Sequence, residues 1–414
     1  MKILIFYPHN FSKPRHGSHL RAMQQFQDLS RDHEVVFAST KRSSDTAWPR
    51  DRCQVLGEIP CRQLYLFEDS LRGFLSSKIL WPAQKFGALC RKLLQRSELE
   101  LRVVGAQNLM MQRWFSTLFE KVKPDVVVIH YTNWAFLAED VPAGVRKILE
   151  IHDLLSLNSY LRKRVEKALE IENRRIVGVR KSDPIGYVES VNELPAAELK
   201  ALTTEVDNFR QFDLIWSISS REERLIRQVF PQAAVKTIAP CFKQKRNAQP
   251  RGDYFLLPIG PNPFNTYSIQ VFIEGVFRRL PAKIKKKIRV TGQAWGGYEF
   301  QWPEDLHYLG VVDNYQDLLM GARLVLAPTR VGTGQQMKIF EALACEVPVL
   351  CYRAAMPGDE VTWGEVTWGG LMAADDEDDF FCRLLRFDAG EESPCQALGS
   401  AEAMYSGSLG EMVQ

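Results

Sequence analysis

The chain of 414 residues reads as an α/β protein of two doubly wound domains facing a central cleft. Three observations predict this. Short apolar runs that suit buried parallel strands alternate with helical stretches in two separate blocks. A segment rich in proline, glycine and polar residues, 239–252, lies between the blocks. Several strand-like runs end in histidine, aspartate or glycine, where an open parallel sheet presents its ligand crevice. The expected division is an N-terminal domain over 1–238, a connection over 239–252, a C-terminal domain over 253–395 and a tail over 396–414. The tail is expected to pack back on the N-terminal domain.

The first strand is Lys2–Tyr7, nearly all apolar. A polar loop from Pro8 to Gly17 follows. Leu20, Met23, Phe26 and Leu29 then recur near helical spacing over Ser18–Leu29. Asp32-His33 turns the chain into a second strand, Glu34–Ala38. No G-x-G-x-x-G follows the first strand, so this is not a dinucleotide fingerprint. Residues 70–120 read as mostly helical. Within them 74–96 interleaves Phe74, Trp81 and Phe86 with Lys78, Lys85, Arg91 and Lys92, with no acidic residue between Lys78 and Arg96. A stretch of this kind can lie on an anionic membrane surface, and a domain helix with one solvated face reads the same way.

Pro124–His130 and Arg146–Ile151 are further buried strands. They put His130 at one carboxyl end, and His152 and Asp153 just past the other. Residues 158–210 are highly charged and read as helical, with a loop near Asp183–Gly186. Leu214–Trp216 closes the first block. The second block runs Tyr254–Pro258 (strand), Asn265–Leu280 (helix), Ile288–Thr291 and Leu306–Leu309 (strands), and Asp313–Gly321 (helix, with Asp313 as its cap). Leu324–Ala327 and Pro348–Cys351 are strands, and Asp375–Leu385 is a last helix. The acidic run Asp375–Asp379 stands at that helix's start, where negative charge is favoured.

Composition sets bounds. Hydrophobic residues make up 45% and charged residues 25%, and the net charge is +3. That balance is ordinary for a globular protein and too small to imply a nucleic-acid partner. Eight cysteines are scattered without a C-x-x-C pair or a His/Cys cluster. Neither a zinc site nor a disulfide framework is expected, and the thiols fit a reducing cytoplasm. No run of about 18 apolar residues is present, so no membrane-spanning helix is expected.

Residues 332–348 carry most of the chemistry. They read G-T-G-Q-Q-M-K-I-F-E-A-L-A-C-E-V-P, directly after the strand Leu324–Ala327 and the break at Pro328-Thr329. Gly332 and Gly334 are expected to open a helix that presents Lys338 and Glu341 within one turn. A strand, a glycine loop and a helix start make an anion site, because free N–H groups point outward there. A cation for a phosphate beside a carboxylate for hydroxyls suits a nucleotide sugar. An ordinary strand–turn–helix with an exposed Lys–Glu pair has the same spacing.

This segment, with Pro348-Val349-Leu350 after it, resembles the donor-site helix of retaining glycosyltransferases of the family 4 kind (glycosyl transferases group 1). The β-loop-α-β start, and the text from Glu205 through Asp213 to Ser219, resemble the N-terminal half of the same GT-B enzymes. The resemblance implies two Rossmann-like domains and transfer of a sugar from a nucleotide-sugar donor, without a cofactor and without a metal. It implies that Glu341 binds the ribose hydroxyls and that Gly17 and its loop lie under the diphosphate. Lys338, and then Arg330, are the candidate cations for the leaving group. Gly260, Asn265, Gly332, Thr333 and Gly334 would line the donor. Gln293, Val311 and Val312 would sit near the base. His152 resembles the histidine near the reacting carbon, with His19, His130 and Asp153 toward the acceptor. No protein base is implied, since the leaving phosphate takes the acceptor's proton in such enzymes.

Departures are specific. Thr333 stands where many relatives carry a glutamate eight positions before Glu341. Cys345-Glu346 replaces a small-residue-plus-glycine pair, and the loop Gly260–Asn265 has no cation. The expected acceptor is a glycan, a lipid-linked glycan or another hydroxyl compound. The expected location is the cytoplasm, with peripheral contact at the inner membrane face through 74–96. A related enzyme with other chemistry (an epimerase or an inverting transferase) and a non-catalytic glycan-binding subunit stay open as alternatives.

Overall fold

The structure, a computed structural model, describes residues 1–12, 17–41, 48–49, 52–75, 98–180, 185–238, 251–356 and 370–393. The expected connection at 239–252 and the tail at 396–414 therefore lie outside the described residues, apart from 251–252. So does nearly all of the basic stretch 74–96.

The first block runs β1 (Lys2–Phe6), α1 (Gly17–Asp32), β2 (Glu34–Ser39), α2 (Arg52–Glu58), β3 (Gln63–Leu66), α3 (Leu71–Leu75), α4 (Glu98–Val122), β4 (Val126–His130), β5 (Arg146–Ile151) and α5 (Leu155–Ala168). Then come β6 (Leu169–Glu172), β7 (Arg175–Val179), α6 (Ala196–Asp207), β8 (Leu214–Ser217), α7 (Ser220–Val229) and β9 (Val235–Thr237). Seven of these strands form one parallel sheet in the order β3-β2-β1-β4-β5-β8-β9. Its central strands are apolar throughout because both faces are covered: Ile3, Leu4, Ile5 and Phe6 are all buried.

The second block runs β10 (Phe255–Ile259), α8 (Pro263–Gly275), α9 (Ala282–Lys285), β11 (Ile288–Gly292), β12 (Glu299–Phe300), β13 (His307–Gly310), α10 (Tyr315–Met320), β14 (Leu324–Ala327), α11 (Met337–Ala344), β15 (Val349–Tyr352), β16 (Leu371–Ala374) and α12 (Glu377–Ala389). Six strands form a second parallel sheet, β13-β11-β10-β14-β15-β16. Each sheet reverses its strand order once, between β1 and β4 in the first and between β10 and β14 in the second. Those two reversals are where loops splay apart at the carboxyl ends and leave a crevice. Apart from Gln293, Val311 and Val312, the expected site residues stand at or after the ends of these four strands and β5.

Three expectations need correction. Residues 158–210 are not simply helical: Leu169–Val179 is a β-hairpin. Asn173 and Arg174 both have positive φ, 47° and 64°, as a two-residue turn of the hairpin type requires. The hairpin recruits β12 from the second block, with Glu299 pairing Arg175 and Phe300 pairing Ile176, so a third small sheet bridges the two halves. The helix expected from Asp313 starts at Tyr315. Its cap position is Asn314, without a side-chain capping bond. The helix expected to open at Gly332–Gly334 starts at Met337, and Gly334 instead holds a left-handed turn at φ 63°. The acidic run does start α12 as read, with the Asp376 side chain accepting from the Asp379 N–H at 2.9 Å.

The halves also share apolar packing. α5 lies against α8, and Leu161 and Val165 join Phe264, Tyr267 and Phe272 in one continuous buried cluster. Burying each such side chain contributes about 1.5–3 kcal/mol.

Candidate functional site

The glycine loop between β14 and α11 is docked on the N-terminal half. The Gly334 N–H donates to Glu222 Oε1 at 3.0 Å. Asn158 Nδ2 donates to Thr333 Oγ1 at 2.8 Å. Gln336 Nε2 donates to the Tyr187 hydroxyl at 3.1 Å. A Cβ on Gly334 would stand 2.7 Å from Asp153 Oδ1 and 2.8 Å from the His152 carbonyl. Glycine is required there twice over, for its φ and for this approach. Gly17, at the start of α1, makes the matching approach: a Cβ there would collide with the Met337 side chain at the start of α11. The amide-bearing ends of α1 and α11 therefore meet across the cleft, an arrangement that favours an anion.

Lys338 lies on α11, one residue into the helix. Its Nζ donates to Asn265 Oδ1 at 2.8 Å and to the Pro258 carbonyl at 3.3 Å. Asn265 is held in turn, since its N–H donates to the capping side chain of Asn262 at 2.8 Å. Gly260 is next to it: a Cβ on Gly260 would stand 3.0 Å from Asn265 Nδ2. The loop after β10, which lacks a cation of its own, thus orients the cation of α11. Burial lowers the Lys338 pKa to about 8, and the nearby Glu341 carboxylate opposes that shift. Glu341 is hydrogen-bonded to Tyr315, whose hydroxyl is pushed far up by burial and then by this carboxylate.

Arg330 is committed elsewhere. Its guanidinium pairs with Glu377 at the start of α12 and lies 5.0 Å from the Tyr352 ring centroid, while its N–H donates to Ser268 Oγ at 3.1 Å. As a cation for the leaving group it would have to leave Glu377. Gln293 is exposed just after β11. Val311, 76% exposed, and the half-buried Val312 follow β13, on the far side of the second sheet's reversal.

His152 is buried at the end of β5. Its Nε2 lies 3.0 Å from His130 Nδ1, and its ring stacks on Tyr131 at 4.3 Å. Tyr131 has φ 67°, a strained conformation for a tyrosine that aims the ring at His152. Burial, and then the Arg21 guanidinium, push the His130 pKa down to about 3, so His130 is neutral. Arg21 is itself buried and paired with Glu150 at 3.1 Å. His19 and His130 were expected on an acceptor side, but both are fully buried. Both pack against the buried Tyr7 ring. Asp153, expected beside them, is turned to the glycine loop and hydrogen-bonded to Thr333.

The spacing of residues gave no sign of Glu222, 112 positions before its partner Gly334. Its only local mark is a helix-start position after Ser219, whose side chain accepts from the Glu222 N–H at 3.5 Å. Asp153 and Glu222 lie against the glycine loop, with Glu205 nearby at the start of α5. Burial raises the pKa of Glu222, and the charge of Asp153 adds to the rise. Burial likewise raises Asp153, with Glu205 adding and the Thr333 hydrogen bond opposing. Among the described residues no group of three His, Cys, Asp or Glu is placed to hold a metal ion.

Residues 256–387 match the family model described as glycosyl transferases group 1. No curated protein matches the sequence significantly. Solved structures match over nearly the whole chain. Sucrose-phosphate synthase from Thermosynechococcus elongatus is 13% identical, with a TM-score of 0.57 over 94% of this chain and 90% of that one. Anabaena HepE in complex with UDP is 12% identical, with a TM-score of 0.53 over 100% and 94%. A TarM variant from S. aureus in complex with Fondaparinux, alpha-GlcNAc-glycerol and UDP is 10% identical, with a TM-score of 0.57 over 100% and 95%. At these identities the structures speak for the fold, and the family match speaks for the second domain, where Lys338 and Glu341 stand. The chain has the two-domain GT-B fold, and residues 256–387, within its second domain, match glycosyl transferases group 1.

Proposed function

We propose that this enzyme moves a hexose from a uridine diphosphate sugar to a hydroxyl of a glycan or lipid-linked acceptor, with retention at the anomeric carbon and without a metal ion. The observation that carries the donor reading is the Lys338 environment. A lysine held by Asn265 and Pro258, one turn from Glu341, stands where the starts of α1 and α11 meet. Uridine as the base is suggested by the HepE and TarM structures, both of which contain UDP. Retention rests on the resemblance to family 4 enzymes.

In the reaction the bond between the anomeric carbon and the phosphate oxygen breaks. A new bond forms from that carbon to the acceptor oxygen, and the acceptor proton passes to the leaving phosphate. Lys338 and the amides near Gly17 and Met337 would take up the negative charge that develops on the diphosphate. Glu341 would accept from the ribose hydroxyls. His152, held by His130 and Tyr131, would face the sugar carbon. Peripheral membrane contact through 74–96 belongs to this proposal and rests on sequence alone. Among the described residues no helix is long and apolar enough to cross a membrane.

The test is direct. A panel of nucleotide sugars is offered to the purified chain, donor hydrolysis and transfer are followed, and the product's anomeric configuration is read by proton NMR. An inverted product would remove retention. No binding or turnover with any nucleotide sugar would remove the donor reading.

A further inference from the structure

Glu222 belongs to the N-terminal half, yet its carboxyl group lies against the glycine loop of the other half. Oε1 accepts from the Gly334 N–H at 3.0 Å and from the Leu154 N–H at 3.4 Å. Oε2 is buried and has no hydrogen-bond partner among the described residues, although the side chain is only 1% exposed. Glu222 lines a small cavity whose wall also includes Tyr187, Arg221, Thr333 and Gly334. A buried carboxyl oxygen without a partner is costly, so its retention calls for a reason.

Its neighbours supply none. Glu205 spends both oxygens on the start of α5, accepting from the Leu155 and Ser156 N–H groups at 2.8 Å each. Arg221 is also on the cavity wall, but its guanidinium is engaged by Glu189 at 2.7 Å and the Ala354 carbonyl at 2.9 Å. The seam between the halves would be served by Oε1 alone. Oε2 is the part left over, and it belongs to a residue of the cavity wall.

Charge decides what this oxygen can meet. Asp153 and Glu205 act on Glu222 as like charges, and the Arg221 guanidinium on the cavity wall is already paired with Glu189, so an anion is disfavoured there. A metal ion is not favoured either, because the three carboxyl groups are not gathered as ligands. A neutral hydroxyl suits it, since it can donate to an ionised carboxylate or accept from a protonated carboxyl. The loop is thus polarised, with Lys338 for the phosphates at its helix end and Glu222 at Gly334, four residues earlier.

We propose that Glu222 is a specificity-determining residue that grips a hydroxyl of the transferred sugar from the N-terminal side of the cleft. The proposal rests on the nucleotide-sugar reading above. Calorimetric titration of the full chain with UDP and with UDP-hexoses tests it, using wild type, Glu222→Gln and Glu222→Ala. Loss of a hydrogen bond to such a group corresponds to about a ten- to hundredfold change in affinity. The expected result for the alanine variant is that loss for the best-bound UDP-hexose, with UDP affinity held within about twofold. Glutamine keeps both an acceptor for Gly334 and a donor for the sugar, so it should retain most of the hexose affinity. A folded alanine variant with an unchanged ratio of the two affinities would overturn the proposal, and so would a parallel loss of both. Should the alanine variant not fold, Glu222→Asp draws the carboxyl back by one bond and is read by the same ratio. A wild type that binds neither ligand would instead bring down the donor reading, which separates the two failures.

Discussion

Lys338→Ala is the substitution that bears hardest on the proposed mechanism. The ammonium is fixed by Asn265 Oδ1 at 2.8 Å and the Pro258 carbonyl at 3.3 Å, so its position is set before any donor arrives. Preorganised charge stabilises the transition state more than the ground state, because the leaving diphosphate gains charge as the glycosidic bond breaks. A charge-assisted hydrogen bond of this kind contributes about 1.5–3 kcal/mol, or roughly ten- to a hundredfold in rate. The expected loss therefore appears in kcat, with a smaller rise in KM. Burial lowers the Lys338 pKa to about 8, so the charged form dominates below that pH and is lost above it. For the free enzyme kcat/KM should fall as pH rises through about 8. Each further unit would cost up to about tenfold until another species takes over. In Lys338→Arg the cation stays charged, so whatever activity remains should lack this alkaline limb. Steady-state kinetics across pH, with the donor varied, measures both effects. Refutation would come from a variant in which KM alone rises, or from an alkaline limb that persists with arginine in place.

The remaining predictions are shorter. Glu341→Ala should weaken nucleotide binding by about ten- to a hundredfold in calorimetry, for a lost charged hydrogen bond. It should also move the alkaline limb to lower pH, because Glu341 holds the Lys338 pKa up; an unmoved limb would separate the two residues. Glu222 and Asp153 have folded-state pKa values raised by burial, so their protonated forms contribute stability at low pH that is lost as pH rises above the ordinary carboxyl range. The thermal midpoint of wild type should fall between about pH 5 and pH 8, and Glu222→Gln should show a shallower fall; parallel curves would contradict this. Activity should survive EDTA, and a loss restored by manganese or magnesium would contradict a leaving group stabilised by Lys338 and helix ends. Sedimentation with anionic vesicles, but not neutral ones, is expected from the basic stretch 74–96, at about 1 kcal/mol per basic residue near the surface. Equal partitioning into both would return that stretch to an ordinary solvated helix face.

The strands of the two large sheets were legible because covering both faces forces continuous apolar text. Arg146–Ile151 and Leu324–Ala327 were read to their ends, each stopped by a polar residue or a proline. The hairpin Leu169–Val179 was not legible. Its inward residues, Ile171 and Ile176, are spaced among charges, and its further partner strand, β12, lies more than a hundred positions away. Lys338 and Glu341 could be found because one helical turn sets their relation, and local spacing is visible in a sequence. Glu222 and Arg330 could not be placed, because their partners are fixed by tertiary packing. Arg330 reads as a free cation until α12 brings Glu377 to it.

The glycines show where sequence and structure divide the information. Gly332, Gly334 and Gly17 read as a phosphate-binding set, but the Gly334 N–H is taken by Glu222. The structure gives two of them a further reason. Gly334 lets the second half approach His152 and Asp153, and Gly17 lets α1 approach the Met337 side chain. A Cβ at either position would overlap its neighbour, so one side would have to shift. The Gly334–Glu222 bond, the Lys338 site and the meeting of the two helix starts therefore depend on the same close contact between halves. That dependence makes a specific demand: alanine at Gly17 should weaken donor binding even if its own amide never touches a phosphate, because it displaces the start of α11, on which Lys338 stands.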